Sequence, residues 1–273
     1  MDGISQHRGI GVFGRAYGIM LANDCHADGS VDRVLMENMI LLSTETVAYL
    51  YDEYTPIQVR YGSGSRPELE CHVAKAAARY NSDEERVDGI VKFCSELGKE
   101  VAEDPDAIVV GGTEEEIIRR GSDWCSDVAR VGCSLCQVAG FPARLVYLAD
   151  TRQAYSGHAI IEAHRNGFWG ALDAITAVVY RYPNGQPAST WELKSHPQLI
   201  EVHRKSSDPY TKVEQFRNAA ISNYFIWDRE HYNYAVSPIN DYYRSILKMA
   251  NGGWPGGLRW LHGEDNGTHH LPT

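Results

Sequence analysis

The sequence lacks two features that would place the protein in or across a membrane. It contains no run of eighteen apolar residues, which is about the length that a membrane-spanning helix requires. Its first fifteen residues contain an early Asp and an arginine within a weak apolar stretch, a composition that is not typical of a secretory signal peptide. We therefore expect an intracellular protein whose partners do not include the membrane.

Positive charge and cysteine are also scarce. The chain has 26 Lys and Arg against 36 Asp and Glu, which gives a formal net charge of −10. This balance argues against nucleic acid and anionic membranes as partners, because an acidic surface is repelled by both. The six cysteines are too few to form a disulfide scaffold in 273 residues. With 43% hydrophobic residues, the remaining composition is ordinary for a globular protein with an ample core.

The middle of the chain contains a cysteine at a predicted helix start. Ser122 and Asp123 are good N-cap residues, so we expect the helix to begin near Cys125. Helix-compatible apolar residues follow, and Gly140 with Pro142 after it predicts the end of the helix. A thiol at a helix start feels the positive end of the helix dipole, which favours the thiolate.

Two apolar runs follow this helix, and each places a polar residue at one end. His158 opens the run 159–161, and Asp173 closes the run 168–172. Asn166-Gly167 stands between the runs and is a strong signal for a β-hairpin. A nucleophile at a helix tip, with a base and an orienting carboxylate on adjacent strands, is the geometry that thiol acyl transfer requires.

Three blocks of this stretch resemble the transglutaminase-like branch of the papain-type cysteine enzymes. That family's core has a Gly-x-Cys, a helix ending in Gly-Ile-Pro-Ala-Arg, a His-Ala-x-x-Glu strand and an aromatic-rich strand ending in Asp. The matching residues here are Gly140-Phe141-Pro142-Ala143-Arg144, then Gly157-His158-Ala159 with Glu162, then Trp169 with Leu172-Asp173. The first block begins fifteen positions after Cys125, which selects Cys125 over Cys133 and Cys136 as the nucleophile.

The sequence departs from the family's pattern at three places. Asp123 and Trp124 precede Cys125 where the family often has a single residue after Gly. Ile160 occupies the family's usual Trp position, and Ala174 occupies the position of the usual Pro after Asp. These departures concern substrate specificity more than the three catalytic positions.

The resemblance implies an α+β fold with a transglutaminase-like, papain-like core: a catalytic helix packed on an antiparallel sheet, with flanking helices. It implies that Cys125 attacks an amide or peptide carbonyl, that His158 transfers the proton and that Asp173 orients the imidazole. We expect Trp124 and Gly157 to line the substrate cleft. Water as acceptor gives a peptidase or amidase, and an amine gives a transglutaminase. The chemistry needs no cofactor or metal, and a reduced thiol fits a cytoplasmic location.

Other interpretations of these residues stay open. The same fold can serve as a non-enzymatic module that binds peptides or glycans, with the aromatic residues of the C-terminal region as a platform. Cys133 and Cys136 form a single Cys-x-x-Cys, which is half of a structural zinc site. Because both lie within the predicted helix, we expect them to be buried core residues.

We expect one compact domain with three regions: a mainly helical region 1–110, the catalytic core 111–205, and an aromatic-rich, mainly helical region 206–273. Ser82 with Glu85, and Thr113 with Glu116, predict capping boxes and therefore helix starts in the first two regions. The segment 31–54 is compatible with helix throughout, with apolar residues spread along it.

Overall fold

The protein is a mixture of helices and antiparallel sheet, as the sequence predicts. A computed structural model describes residues 4–9, 31–100, 109, 111–149, 157–204, 213–228, 230 and 232. Among these residues, no helix is long and apolar enough to span a membrane.

A single antiparallel sheet of six strands organises the described part of the chain. The strands are β1 (Ile40–Leu41), β2 (Ala143–Ala149), β3 (Gly157–Arg165), β4 (Phe168–Asp173), β5 (Val178–Val179) and β6 (Ala220–Ser222). Their order across the sheet is β1-β6-β2-β3-β4-β5. The strands β2, β3 and β4 that carry the sequence blocks are thus adjacent at its centre.

Eight α-helices surround the sheet in the described residues. They are α1 (Val31–Asn38), α2 (Val47–Asp52), α3 (Pro67–Ala77), α4 (Asp83–Ser95), α5 (Glu114–Arg120), α6 (Cys125–Val138), α7 (Thr190–Ser195) and α8 (Gln198–His203). Short 3₁₀ turns occupy Ser5–His7, Leu97–Glu100 and Val213–Asn218. The predicted capping boxes are confirmed at the starts of α4 and α5, where Ser82 and Thr113 each exchange hydrogen bonds with the glutamate three positions on.

The sheet has an apolar core on each face. Leu145 and Tyr147 of β2 point into the larger core, which α1 and α3 to α6 cover. Val146 and Leu148 point into the smaller core, which α2, α7 and α8 cover. This alternation is what a strand buried on both faces produces, and all seven residues of β2 are buried.

The helix α6 packs directly on β3, as the sequence predicts for the helix that carries Cys125. Its twelve residues Ser126–Gln137 are all buried. A Cβ atom at Gly132 would lie 2.4 Å from Cδ1 of Ile161, so glycine permits a close approach of helix and strand there. The helix ends where the sequence predicts, because Gly140 has a φ of 93°.

One prediction made from a local pattern is wrong. The helix-compatible segment 31–54 is interrupted after α1, because Ile40 and Leu41 pair with Ile221 and Ala220 of β6. The same pairing places β6, from the region expected to be mainly helical after residue 206, in the interior of the sheet. Most of that region, residues 233–273, lies outside the described residues.

Candidate active site

The start of α6 places Cys125 as the first residue of the helix. Trp124 is the N-cap and makes no capping hydrogen bond with its side chain, so the prediction that Ser122 or Asp123 caps the helix is wrong. The Ser122 hydroxyl instead accepts a hydrogen bond from the backbone N–H of Trp124, at 3.1 Å. Cys125 is half-buried, whereas Cys94, Cys133 and Cys136 are buried.

His158 and Asp173 meet at one end of the sheet. His158 is the second residue of β3, Asp173 is the last residue of β4, and a hairpin joins the two strands. The hairpin turn is the predicted Asn166-Gly167, whose φ angles of 53° and 83° are both positive, as a type I′ turn requires. Nε2 of His158 lies 2.9 Å from Oδ2 of Asp173, and both side chains are buried.

The other carboxylate oxygen of Asp173 is held by the backbone that follows it. Oδ1 accepts hydrogen bonds from the N–H groups of Ile175 at 3.0 Å and Thr176 at 3.2 Å. These bonds fix the plane of the carboxylate, so Oδ2 is aimed at the imidazole. Asp173 therefore has the geometry of a group that orients a histidine.

The surroundings of His158 favour its protonated form. Burial alone would lower the pKa of His158, but the charge and hydrogen bond of Asp173, with a hydrogen bond and charge interaction from Cys125, outweigh it. The result is a pKa well above the ordinary 6.5. Because Nε2 faces Asp173, the nitrogen left for the Cys125 thiol is Nδ1.

The contact between Cys125 and His158 involves residues at the starts of their elements. Side chains of a regular strand alternate between the two faces of the sheet, so His158 would point to the same face as Ile160. The helix α6 covers the opposite face, to which Ala159 and Ile161 point. Cys125 is the first residue of α6 and His158 is the second residue of β3, and a side-chain hydrogen bond and a charge interaction join them. The structure thus brings the three predicted residues Cys125, His158 and Asp173 together.

The predicted cleft residues flank this group in the chain. Trp124 precedes Cys125 and is half-buried, and Gly157 precedes His158 and is also half-buried. Cys125 is partly exposed as well, so this edge of the group is open to solvent.

A network of buried charges behind α6 was not predicted. Arg130 lies 3.3 Å from Glu114, which also pairs with Arg66 at 2.7 Å, and Arg120 pairs with Asp127 at 2.7 Å. The available signal was the presence of Asp127 and Arg130 within a helix whose other residues are mostly apolar. Charged residues are rarely buried unless they are paired, so such positions indicate a buried network.

The arginine and glutamate of the family-like blocks form a second buried pair. Arg144 and Glu162 lie opposite each other on β2 and β3, with Nη2 and Oε2 at 2.6 Å and no exposure of either side chain. Glu162 also accepts hydrogen bonds from the Tyr51 hydroxyl at 2.7 Å and the Thr190 N–H at 2.6 Å. These contacts give Glu162 a structural role between β2, β3 and α7.

Neither a metal centre nor a known protein supplies further information on the site. Within the described residues, no group of three or more His, Cys, Asp or Glu side chains is placed to hold a metal ion. Cys133 and Cys136 are buried in the core as expected, and burial raises the pKa of Cys136 to about 12. The chain matches no protein-family model, no curated protein and no solved structure.

Proposed function

We propose that the protein is a thiol-dependent enzyme of the transglutaminase-like kind that transfers the acyl group of an amide or peptide through a thioester. One observation carries the proposal: a half-exposed Cys125 at a helix start contacts a buried imidazole, whose other nitrogen is 2.9 Å from a fixed carboxylate. A histidine and aspartate pair that is buried for stability alone would not need a partly exposed thiol beside it. A pKa of His158 well above 6.5 further supports a thiolate–imidazolium pair at neutral pH.

In the first half of the reaction, the Cys125 thiolate attacks the carbonyl carbon of the amide. A C–S bond forms and the carbonyl π electrons move to oxygen, where the backbone N–H of Cys125 donates a hydrogen bond. The oxyanion then collapses, the C–N bond breaks, and the His158 imidazolium gives its proton to the leaving amine. The products are a free amine and a thioester on Cys125.

In the second half, a neutral His158 takes a proton from water or from an amine as it attacks the thioester. The C–S bond breaks, the thiolate leaves, and the imidazolium that remains restores the starting pair. Asp173 does not accept the proton; it keeps the ring oriented and stabilises the imidazolium. Water yields a carboxylic acid, and an amine yields a new amide.

An activated ester tests this proposal without knowledge of the natural substrate. Purified protein is mixed with p-nitrophenyl acetate, the release of p-nitrophenol is followed, and the acetylated residue is mapped by mass spectrometry. We expect a rapid phase that acetylates Cys125, followed by slower turnover that methylamine accelerates if amines are accepted. Cys125→Ala should abolish the rapid phase, whereas Cys71→Ala, at an exposed thiol of α3, should not. Acetylation spread over lysines, with no preference for Cys125, would reject the enzyme.

A groove elsewhere on the protein favours a second candidate function, the binding of a peptide or glycan. Pro56, Arg60, Phe225, Trp227 and Asp228 line a cavity of about 350 Å³. The rings of Phe225 and Trp227 are stacked, with centroids 4.9 Å apart and planes 15° apart, and both are half-buried. Stacked aromatic rings beside a cation and a carboxylate suit a sugar or a proline-containing peptide.

Strand direction places this groove away from the thiol. β6 runs antiparallel to β2 and leaves the sheet beside Leu145, whereas His158 lies opposite Leu148 at the other end of β2. Calorimetric titration with short glycans and proline-rich peptides tests this candidate. We expect Trp227→Ala to abolish any binding and Cys125→Ala to leave it intact; loss in both variants would place the ligand at the thiol site instead.

A further inference from the structure

The turn that leads into Cys125 is held by hydrogen bonds that no step of the proposed reaction uses. The Ser122 hydroxyl accepts the N–H of Trp124 at 3.1 Å and donates to Oδ2 of Asp127 at 3.4 Å. The backbone N–H of Ser122 donates to the carbonyl of Leu97 at 3.1 Å. Ser122 is only 4% exposed, so these bonds are shielded from water.

The carboxylate of Asp127 is itself fixed from several sides. Both of its oxygens lie 3.0 Å from the backbone N–H of Gly111, and Oδ2 accepts a hydrogen bond from Arg120 at 2.7 Å. Oδ1 lies 3.6 Å from Arg130 in a buried ion pair. Asp127 has no exposure to solvent and stands in the first turn of α6. It therefore offers Ser122 an acceptor whose position does not vary.

These hydrogen bonds hold the residue just before the Trp124–Cys125 peptide, which carries the N–H of the nucleophile. The Trp124–Cys125 peptide is planar, so the direction of the Cys125 N–H is set by the backbone angles of Trp124, which are φ −79° and ψ 120°. The Ser122 hydroxyl accepts a hydrogen bond from the N–H of Trp124 itself, so it holds the peptide on the other side of that residue. The N–H of Cys125 is at the first position of a helix, where it has no partner within the helix, and is available to an oxyanion.

We propose that Ser122, held by Asp127, is a positioning residue: it fixes the Trp124–Cys125 peptide so that the Cys125 N–H meets the oxyanion of the acylation step. This inference rests on the proposed function. A merely structural role for Ser122 would stabilise the turn without any specific effect on acylation. The two roles differ because alkylation of a thiolate by iodoacetamide forms no oxyanion, whereas acylation by an ester does.

The test compares both reactions at Cys125 in Ser122→Ala. Loss of one oxyanion donor lowers a rate by about 10²–10³-fold, so a misdirected donor should slow acylation by p-nitrophenyl acetate by about 10–100-fold. The alkylation rate should stay within about twofold, since it needs no such donor. Ser122→Thr keeps the hydroxyl and should restore acylation. The matched control is Ser189→Ala, which removes another serine hydroxyl that is 6% exposed and holds a helix start, that of α7.

Each outcome separates this inference from the proposed function. If the wild type is not acetylated on Cys125, the proposed function fails. If the wild type is acetylated and Ser122→Ala reacts equally fast, only the positioning role is overturned. An equal fall of alkylation and acylation, which Ser122→Thr does not restore, also overturns it. If Ser122→Ala does not fold, Asp127→Asn is measured in its place, and the same selective loss of acylation is required.

Discussion

Asp173→Asn tests the link between the carboxylate and the thiol most directly. The two backbone N–H groups of Ile175 and Thr176 that bond Oδ1 of Asp173 should keep the amide oxygen of the asparagine in its place. The amide N–H₂ then faces Nε2 of His158 and donates to it. Nε2 becomes an acceptor, so the proton of the neutral ring moves to Nδ1, on the side of Cys125. A ring in that tautomer cannot take the proton of the thiol.

The size of the effect follows from the lost hydrogen bond and charge. Burial lowers the pKa of His158, and Asp173 is the main cause that raises it; without the charge of Asp173, the lowering effect of burial is opposed less. A hydrogen bond to a charged group contributes about 1.5–3 kcal/mol, so its loss lowers the population of the His158 imidazolium about 10- to 150-fold. Turnover uses His158 as acid and as base, so we expect it to fall by ~10²–10⁴-fold.

The assay is the rate of iodoacetamide labelling at Cys125 as a function of pH, with the exposed Cys71 of the same molecule as the internal standard. In the wild type, the imidazolium persists as pH rises through 6.5, so labelling at pH 6 should already be fast. In Asp173→Asn, labelling of Cys125 at pH 6 should fall towards that of Cys71, because the imidazolium that assists the thiol is lost. An unchanged pH profile in a folded Asp173→Asn variant would refute the coupling between Asp173 and the thiol.

Three further predictions concern the thiols, the unity of the site and the buried pair of β2 and β3. At pH 6, iodoacetamide should not label the buried thiols of the intact protein, because burial raises their pKa, and it should label them once urea unfolds the protein. These thiols are Cys94, Cys133 and Cys136. Cys125→Ala with His158→Ala should lose scarcely more turnover than either change alone, since rate losses that multiply would contradict a shared mechanism. Arg144→Met leaves Glu162 buried without its cation and should cost about 3–5 kcal/mol in urea unfolding, whereas a change under about 1 kcal/mol would contradict the pairing.

The features that the sequence predicts correctly depend on residues close together in the chain. The hairpin turn needs only the positive φ angles of Asn166 and Gly167, and the end of α6 needs only Gly140. The capping boxes need one side chain and a backbone group three positions away. The helix start near Cys125 shows the limit of this reasoning. Ser122 has a good capping side chain, but contacts to Leu97 and Asp127 pull it into the preceding turn.

The features that the sequence does not predict depend on partners far away in the chain. The local pattern of Ile40 and Leu41 is helix-compatible. It does not show their strand partners, Ile221 and Ala220, which lie at the other end of the described chain. Pairing with β6 overrides local helix preference there. The charge network behind α6 is hidden for a similar reason, since Glu114 meets Arg66 only when α3 and α5 pack together. Local patterns can mark Asp127 and Arg130 as members of a buried network, but they do not identify partners that lie far away in the chain.

The pair of His158 and Asp173 differs from another buried charged pair of the same protein, that of Arg144 and Glu162. Glu162 illustrates a pair built for structure: it and Arg144 are fully buried, and two other residues, Tyr51 and Thr190, also donate hydrogen bonds to the carboxylate. The aspartate end of the other pair is satisfied in the same way, by two backbone N–H groups. Its histidine end is different, because the second ring nitrogen faces a half-exposed thiol at a helix start. Burial of a charged ring costs free energy unless counter-charges offset the desolvation, and under the proposed function the Cys125 thiolate is the counter-charge at this second nitrogen. Under the proposed function, the same pairing that stabilises the buried imidazolium therefore provides the sulfur in its nucleophilic form.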